Sequence, residues 1–200
     1  MNRYLIPLQK ANLVLPLWHK YCEEEMGKQE KTGNNDGTHI TKYMNFAHLS
    51  GKKKYAYCAS GLLYCLNKAC EFYDVEFPFS KRSAVANFYY DDAKKIGQKS
   101  FDNIPQIYDL VVWKKPYSRS GHIESIKSPL NDLKVIDYAF NTSNGKSGSQ
   151  REGNGNFIRE RDLSSGLGKM AMRGLVGFYD VFEYERKIKF GLGLLGLSNT

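Results

Sequence analysis

Apolar positions recur along this chain with two different periods, and the change from one to the other falls near its middle. Between Tyr55 and Cys70, the residues Cys58, Leu62, Cys65, Leu66 and Ala69 share one helical stripe, while Asn67, Lys68 and Glu71 fall off it. The spacing predicts a buried helix that begins close to Cys58. Upstream, Pro16 reads as the first-turn proline of a helix running to Met26, with Gly27 placed to end it. Glu23, Glu24 and Glu25 read as the solvated face of that helix. The turn-rich segment Thr32-Gly33-Asn34-Asn35-Asp36-Gly37 predicts a loop. A helix capped by Thr38 and carrying Ile40, Tyr43, Met44 and Ala47 follows. Pro78 argues against a central strand between Glu71 and Ser80. Ser83 to Lys95 predicts another helix, with Val85, Phe88 and Tyr89 facing inward.

After that the period drops to two. Asp109 to Lys114 reads as a buried strand, and Gly121 to Lys127 alternates, with His122, Glu124 and Ile126 on one face and Ile123 and Ser125 on the other. Leu133 to Phe140, Asn156 to Arg161 and Leu175 to Tyr184 predict three more strands. Helices first and strands afterwards indicate an α+β domain with an antiparallel sheet. The expected organisation is an N-terminal extension over residues 1–15, one domain over 16–190 and a glycine- and leucine-rich tail over 191–200.

Composition narrows the partners. Two hundred residues suit a single domain with a sizeable core. The net charge of +8 favours anionic partners, a class that includes nucleic acid, anionic lipid and bacterial wall polymers. Lys52-Lys53-Lys54 is the one dense basic run, so charge does not single out nucleic acid. The four cysteines, Cys22, Cys58, Cys65 and Cys70, form no Cys-x-x-Cys pair and no zinc-ligand spacing with a histidine. Cys58 and Cys65 lie about 10 Å apart by helical rise, too far to bridge. Reduced thiols made in a reducing cytoplasm are expected, with no metal and no cofactor. Met1 to Trp18 is interrupted by Gln9, Lys10 and Asn12 and holds two prolines, which predicts neither a signal peptide nor a membrane span. Action on a cell wall would then depend on another delivery route.

The candidate chemistry starts at Cys58. At the amino end of a helix, unpaired N–H groups and the positive end of the dipole favour a thiolate. The small residues Ala59, Ser60 and Gly61 suggest room for a substrate carbonyl. A packed, inert cysteine is the plainer alternative. A cysteine nucleophile needs a base, and the base needs an orienting group. His122 follows Gly121 into a strand, whereas His19, His39 and His48 sit on or beside helices upstream of Cys58. Asn141 ends the next strand. If those two strands are antiparallel neighbours, His122 and Asn141 meet at one edge of the sheet, a Cys-His-Asn arrangement.

Five segments in this order resemble a known family. Tyr57-Cys58-Ala59-Ser60 with Tyr64-Cys65-Leu66 is similar to the "WCAxFVxWCL" nucleophile helix of CHAP-type cysteine peptidases and amidases, within the wider NlpC/P60 and papain-like group. Asp109-Leu110-Val111-Val112-Trp113 followed by Gly121-His122-Ile123 resembles "GDIVVW…GHVGIV". Gly27-Lys28-Gln29-Glu30 and Gly33-Asn34-Asn35-Asp36-Gly37 resemble "GxxE…GNNxG". Asn141-Thr142-Ser143 and Gly148 to Gly153 resemble "EGNTS…GSREGDG". The resemblance implies a papain-like fold with helices packed on the sheet. It also implies a monomeric peptidoglycan hydrolase of phage-lysin type, working through a thioester at Cys58 with His122 and Asn141. Tyr57 would help the Cys58 N–H stabilise the oxyanion, and Asn34, Asn35 and Asp36 would line the substrate groove. A secreted antibacterial amidase and a catalytically silent virion protein would share these features. Three positions depart from the pattern. The family's glutamate is Ala139, with Asp137 on the same strand face as the candidate substitute; the glycine of "GD" is Tyr108; and Glu124 follows "GHI" in place of glycine.

Overall fold

Among the described residues four helices precede five strands, and the helices lie on one side of an antiparallel sheet. The computed structural model describes residues 8–49, 55–96, 104–144 and 153–178. The order is α1 (Leu8–Glu25), α2 (Thr38–Phe46), α3 (Cys58–Phe72), α4 (Ala86–Ile96), β1 (Leu110–Lys114), β2 (Gly121–Pro129), β3 (Lys134–Thr142), β4 (Gly155–Asp162) and β5 (Ala171–Val176). The strands lie side by side as β4-β3-β2-β1-β5, and each neighbouring pair is antiparallel. The architecture is therefore α+β.

The helix-side core is built on α3. Leu62, Leu63, Cys65, Leu66 and Ala69 are fully buried there, against Val14, Trp18 and Cys22 of α1 and against Leu110, Val112, Ile123 and Phe140 of the sheet. Each buried leucine contributes about 1.5–3 kcal/mol relative to exposure. Burial extends to nearly the whole circumference of α3, including Asn67, whose side chain donates to Glu71 and accepts from Arg82. A second core of Val111, Trp113, Ile126, Val135, Leu163, Leu167, Met170 and Leu175 fills the opposite face of the sheet.

The structure corrects several expectations. α1 begins at Leu8, not at Pro16, which lies in its interior. Ala11, Val14, Trp18 and Cys22 form a single buried stripe that crosses the proline, so packing on both sides offsets the one backbone bond the proline removes. Residues 8–15 thus belong to the folded body rather than to an extension. Glu25 is buried instead of solvated: Lys28 donates to it at 2.8 Å, Lys42 at 2.5 Å and the Tyr43 hydroxyl at 2.5 Å. Thr38 is the first residue of α2, and the cap position belongs to Gly37 at φ 135°. Val85 is half exposed, because α4 starts only at Ala86. β5 ends at Val176. Residues 179–184 of the expected strand lie outside the described residues, as do Lys52 to Lys54, residues 145–152 and the tail.

His19 is a buried histidine. Its ring lies among Trp18, Tyr108 and Tyr138, and Nε2 is 2.9 Å from the Ser125 Oγ. Burial first, then the Lys127 charge, lower its pKa from 6.5 to about 3, against the raising effect of Glu23. The folded state thus keeps His19 neutral while the unfolded chain takes up a proton below pH 6.5. Its stabilising contribution is present above 6.5 and lost as pH falls toward 3. His19→Gln, which retains a partner for Ser125, should flatten the acid side of the stability profile by about 1.4 kcal/mol per pH unit. Urea midpoints between pH 6.5 and 4 test this; parallel slopes in the two proteins would contradict it.

Candidate active site

Cys58 is the first residue of α3, and Tyr57 is its N-cap, with no side-chain cap bond. The Gly61 N–H is bonded to the Tyr57 carbonyl at 2.8 Å. The N–H groups ahead of it have no acceptor within the helix, which leaves donors and the helix dipole directed at the sulfur. Gly61 is not a substrate opening. A Cβ there would stand 2.6 Å from the Phe140 Cδ1, so this glycine lets α3 approach β3 closely. Ala59 and Ser60 are likewise fully buried. The three small residues serve packing, and what they position is the start of the helix.

His122 reaches the same point from the sheet. It pairs with Trp113 of β1, whose ring lies 6.1 Å from the imidazole. The β2–β3 ladder ends at Ser125↔Tyr138, and the imidazole meets Cys58 at the end of the sheet where those strands have stopped pairing. Burial works against a charged imidazole. The negative charge and hydrogen bond of Cys58, together with Glu124, outweigh it and raise the His122 pKa from 6.5 to about 9. The structure brings the sulfur and the imidazole together.

The orienting group is Glu124. Its Oε1 accepts from the His122 Nε2 at 2.9 Å, which leaves Nδ1 for the sulfur. The two residues share a strand face because they are two apart on β2. Glu124 is fully buried, and burial alone would raise its pKa. The Arg161 guanidinium and then His122 hold it well below the usual carboxylate range. The signal for Glu124 was present in the sequence, as an acid two residues after the histidine in an alternating strand.

Asn141 does not take that role. It lies inside β3 at φ 53°, next to a register shift between β3 and β4, and neither amide atom of its buried side chain has a hydrogen-bond partner. The β2–β3 ladder has stopped at Ser125↔Tyr138, short of His122 and Asn141, and no bond joins the two side chains. Asp137 is buried; neither carboxyl oxygen meets a donor, and the side chain lies within hydrogen-bonding reach of Glu124. Burial and then the Glu124 charge push its pKa well above the ordinary value. The imidazole is bonded to Glu124, so Asp137 is not the direct substitute. Tyr57 is buried, stacked on Tyr43 at 5.8 Å, and burial and the Glu30 charge push its phenol pKa up.

The loop expected to line the groove is mostly closed on itself. Asp36 accepts from the Thr32 N–H at 2.9 Å and from its hydroxyl at 2.8 Å, and the Asn34 amide returns to the Thr32 oxygens. The Asn35 N–H donates to Glu30 at 2.7 Å. Asn34, Asn35 and Asp36 are therefore turn residues in this structure. The base of the loop is tied to the start of β4 and the residue before it, where Gly27 and Glu30 donate to the Asn156 and Asn154 carbonyls at 2.8 Å.

Neither a family model nor a curated protein nor a solved structure matches this chain. Among the described residues, no helix is long and apolar enough to cross a membrane.

Proposed function

We propose that this chain is a cysteine hydrolase that cuts an amide or peptide bond of bacterial peptidoglycan. One observation carries the reading: a cysteine at the uncapped head of a buried helix faces an imidazole whose far nitrogen is bonded to a buried carboxylate. That ordering of nucleophile, base and orienting acid is what acyl transfer through a thioester needs.

The His122 Nδ1 takes the Cys58 proton, and the sulfur attacks the amide carbonyl carbon. The oxyanion falls beside the first N–H groups of α3, each such donor being worth about 3–4 kcal/mol where measured in other enzymes. The carbon–nitrogen bond then breaks as the imidazolium returns its proton to the leaving amine. Water, deprotonated by the same nitrogen, hydrolyses the thioester and frees the thiol. Glu124 holds the ring in place and stabilises its charged form throughout.

The choice of peptidoglycan rests on the resemblance to CHAP-type enzymes and on the net charge of +8, which suits an anionic wall. The main departure from that family has a compensation in the sheet. Ala139, where the family has its glutamate, is one residue beyond the Ser125↔Tyr138 pair. On this reading the carboxylate has changed strands, from the position of Ala139 on β3 to Glu124 on β2. Digestion of purified peptidoglycan, with mass analysis of the fragments, tests the reading. New amino termini or free muramoyl carboxyls are expected, and an intact polymer after prolonged incubation would refute it.

A further inference from the structure

Glu124 is itself held from two strands away. Arg161 of β4 reaches across β3, giving its Nε–H to the Glu124 Oε2 at 2.8 Å and an Nη2–H to Oε1 at 2.6 Å. Nη2 also donates to the Thr142 hydroxyl at 3.2 Å. Both ionic partners are buried. A forked guanidinium fixes a carboxylate in distance and in plane, which a single lysine donor cannot do. Asp137, on the intervening strand, is also buried; its oxygens meet no donor, and it lies within hydrogen-bonding reach of Glu124, to which its protonated form can donate.

The charges facing this point come from four elements: Cys58 on α3, His122 and Glu124 on β2, Asp137 on β3, and Arg159 and Arg161 on β4. A charged Asp137 would set a second carboxylate beside Glu124 in a buried site, where like charges repel and desolvation is costly. Burial and the Glu124 charge both favour its protonated form.

We propose that Arg161 is a positioning residue for His122, acting by locking Glu124, and that Asp137 completes the support as an uncharged acid. The imidazole then stands on a framework drawn from β2, β3 and β4. The kinetic part of this inference rests on the hydrolase reading; the geometric part does not.

Two measurements on the full chain separate them. The pH dependence of Cys58 alkylation by iodoacetamide reports the thiolate–imidazolium pair without any wall substrate. Peptidoglycan hydrolysis reports kcat and KM. In Arg161→Met, Glu124 loses its counter-ion and takes up a proton, so the imidazolium loses its anion. The acid limb of alkylation should move to higher pH, with kcat falling about 100-fold and KM little changed, the loss expected of a misplaced catalytic group. Arg161→Lys, which keeps the charge without the fork, should fall between Met and wild type and decides the matter if the Met variant does not fold. Asp137→Asn, uncharged and of the same shape, should leave the alkylation profile as it is. An unchanged profile in folded Arg161→Met or Arg161→Lys would overturn the role of Arg161. A displaced profile in Asp137→Asn would overturn that of Asp137. If wild type cuts no wall bond, the hydrolase reading falls and the alkylation profiles alone decide this inference.

Discussion

Cys58→Ala is expected to abolish amide cleavage, lowering turnover by about 10⁴-fold or more, since no other group can form the thioester. The variant should still fold. The sulfur is a small part of a core built from Leu62, Leu63, Leu66, Trp18 and Phe140, and an ordinary point change costs about 1 kcal/mol. Hydrolysis and thermal unfolding measured on the same preparation check both halves. Residual cleavage within tenfold of wild type would remove Cys58 from the chemistry. The same assay carries a pH signature. The His122 pKa is raised above its ordinary 6.5 to about 9. The stabilisation from its charged form is therefore complete below 6.5 and disappears as pH rises through about 9. Activity that depends on the thiolate–imidazolium pair should decline over that alkaline range.

Replacing Glu124 should cost both activity and stability. Glu124→Gln keeps the shape but removes the charge that holds the imidazolium and balances Arg161. A comparable change of orienting acid in a serine protease costs about 10⁴-fold in turnover, so a fall of about 10²–10⁴-fold is expected here. Breaking a buried ion pair by removing one partner typically costs about 3–5 kcal/mol, and Glu124→Ala should lose that much with an added cavity. The Glu124 pKa is lowered, so the pair's stabilisation is present above the ordinary 4.5 and is lost only well into acid. Asn141→Ala, lacking any bond to His122, should change turnover far less. Urea titration at pH 7 beside wall hydrolysis provides the comparison. If Asn141→Ala proved the more damaging of the two, the assignment of the orienting role would be reversed.

The exposure of the positions differs in a way that explains which were legible. Cys58 and His122 announce themselves through local grammar: a thiol heading an apolar stripe and a histidine leading an alternating strand after a glycine. Tyr108 is a related case. It sits at φ 75°, a left-handed backbone that suits the glycine other sequences of the resembling pattern carry there. Glu124 carries no such mark, because an acid on an alternating strand is ordinarily solvated, and only burial turns it into a partner. Glu25, in a run of three acids, is the same case.

The sequence by itself determined the α+β order, the position of the α3 start and the face shared by His122 and Glu124. Those follow from periodicity, which acts over neighbouring residues. Three things waited for the tertiary structure: the continuation of α1 through Pro16, the end of the β2–β3 ladder short of His122 and Asn141, and the reach of Arg161 across β3 to Glu124. Each depends on what residues far apart in sequence do to one another once buried. Packing on both sides carries a helix past its breaker, a ladder that stops early leaves two side chains unjoined, and a buried carboxylate takes the nearest guanidinium.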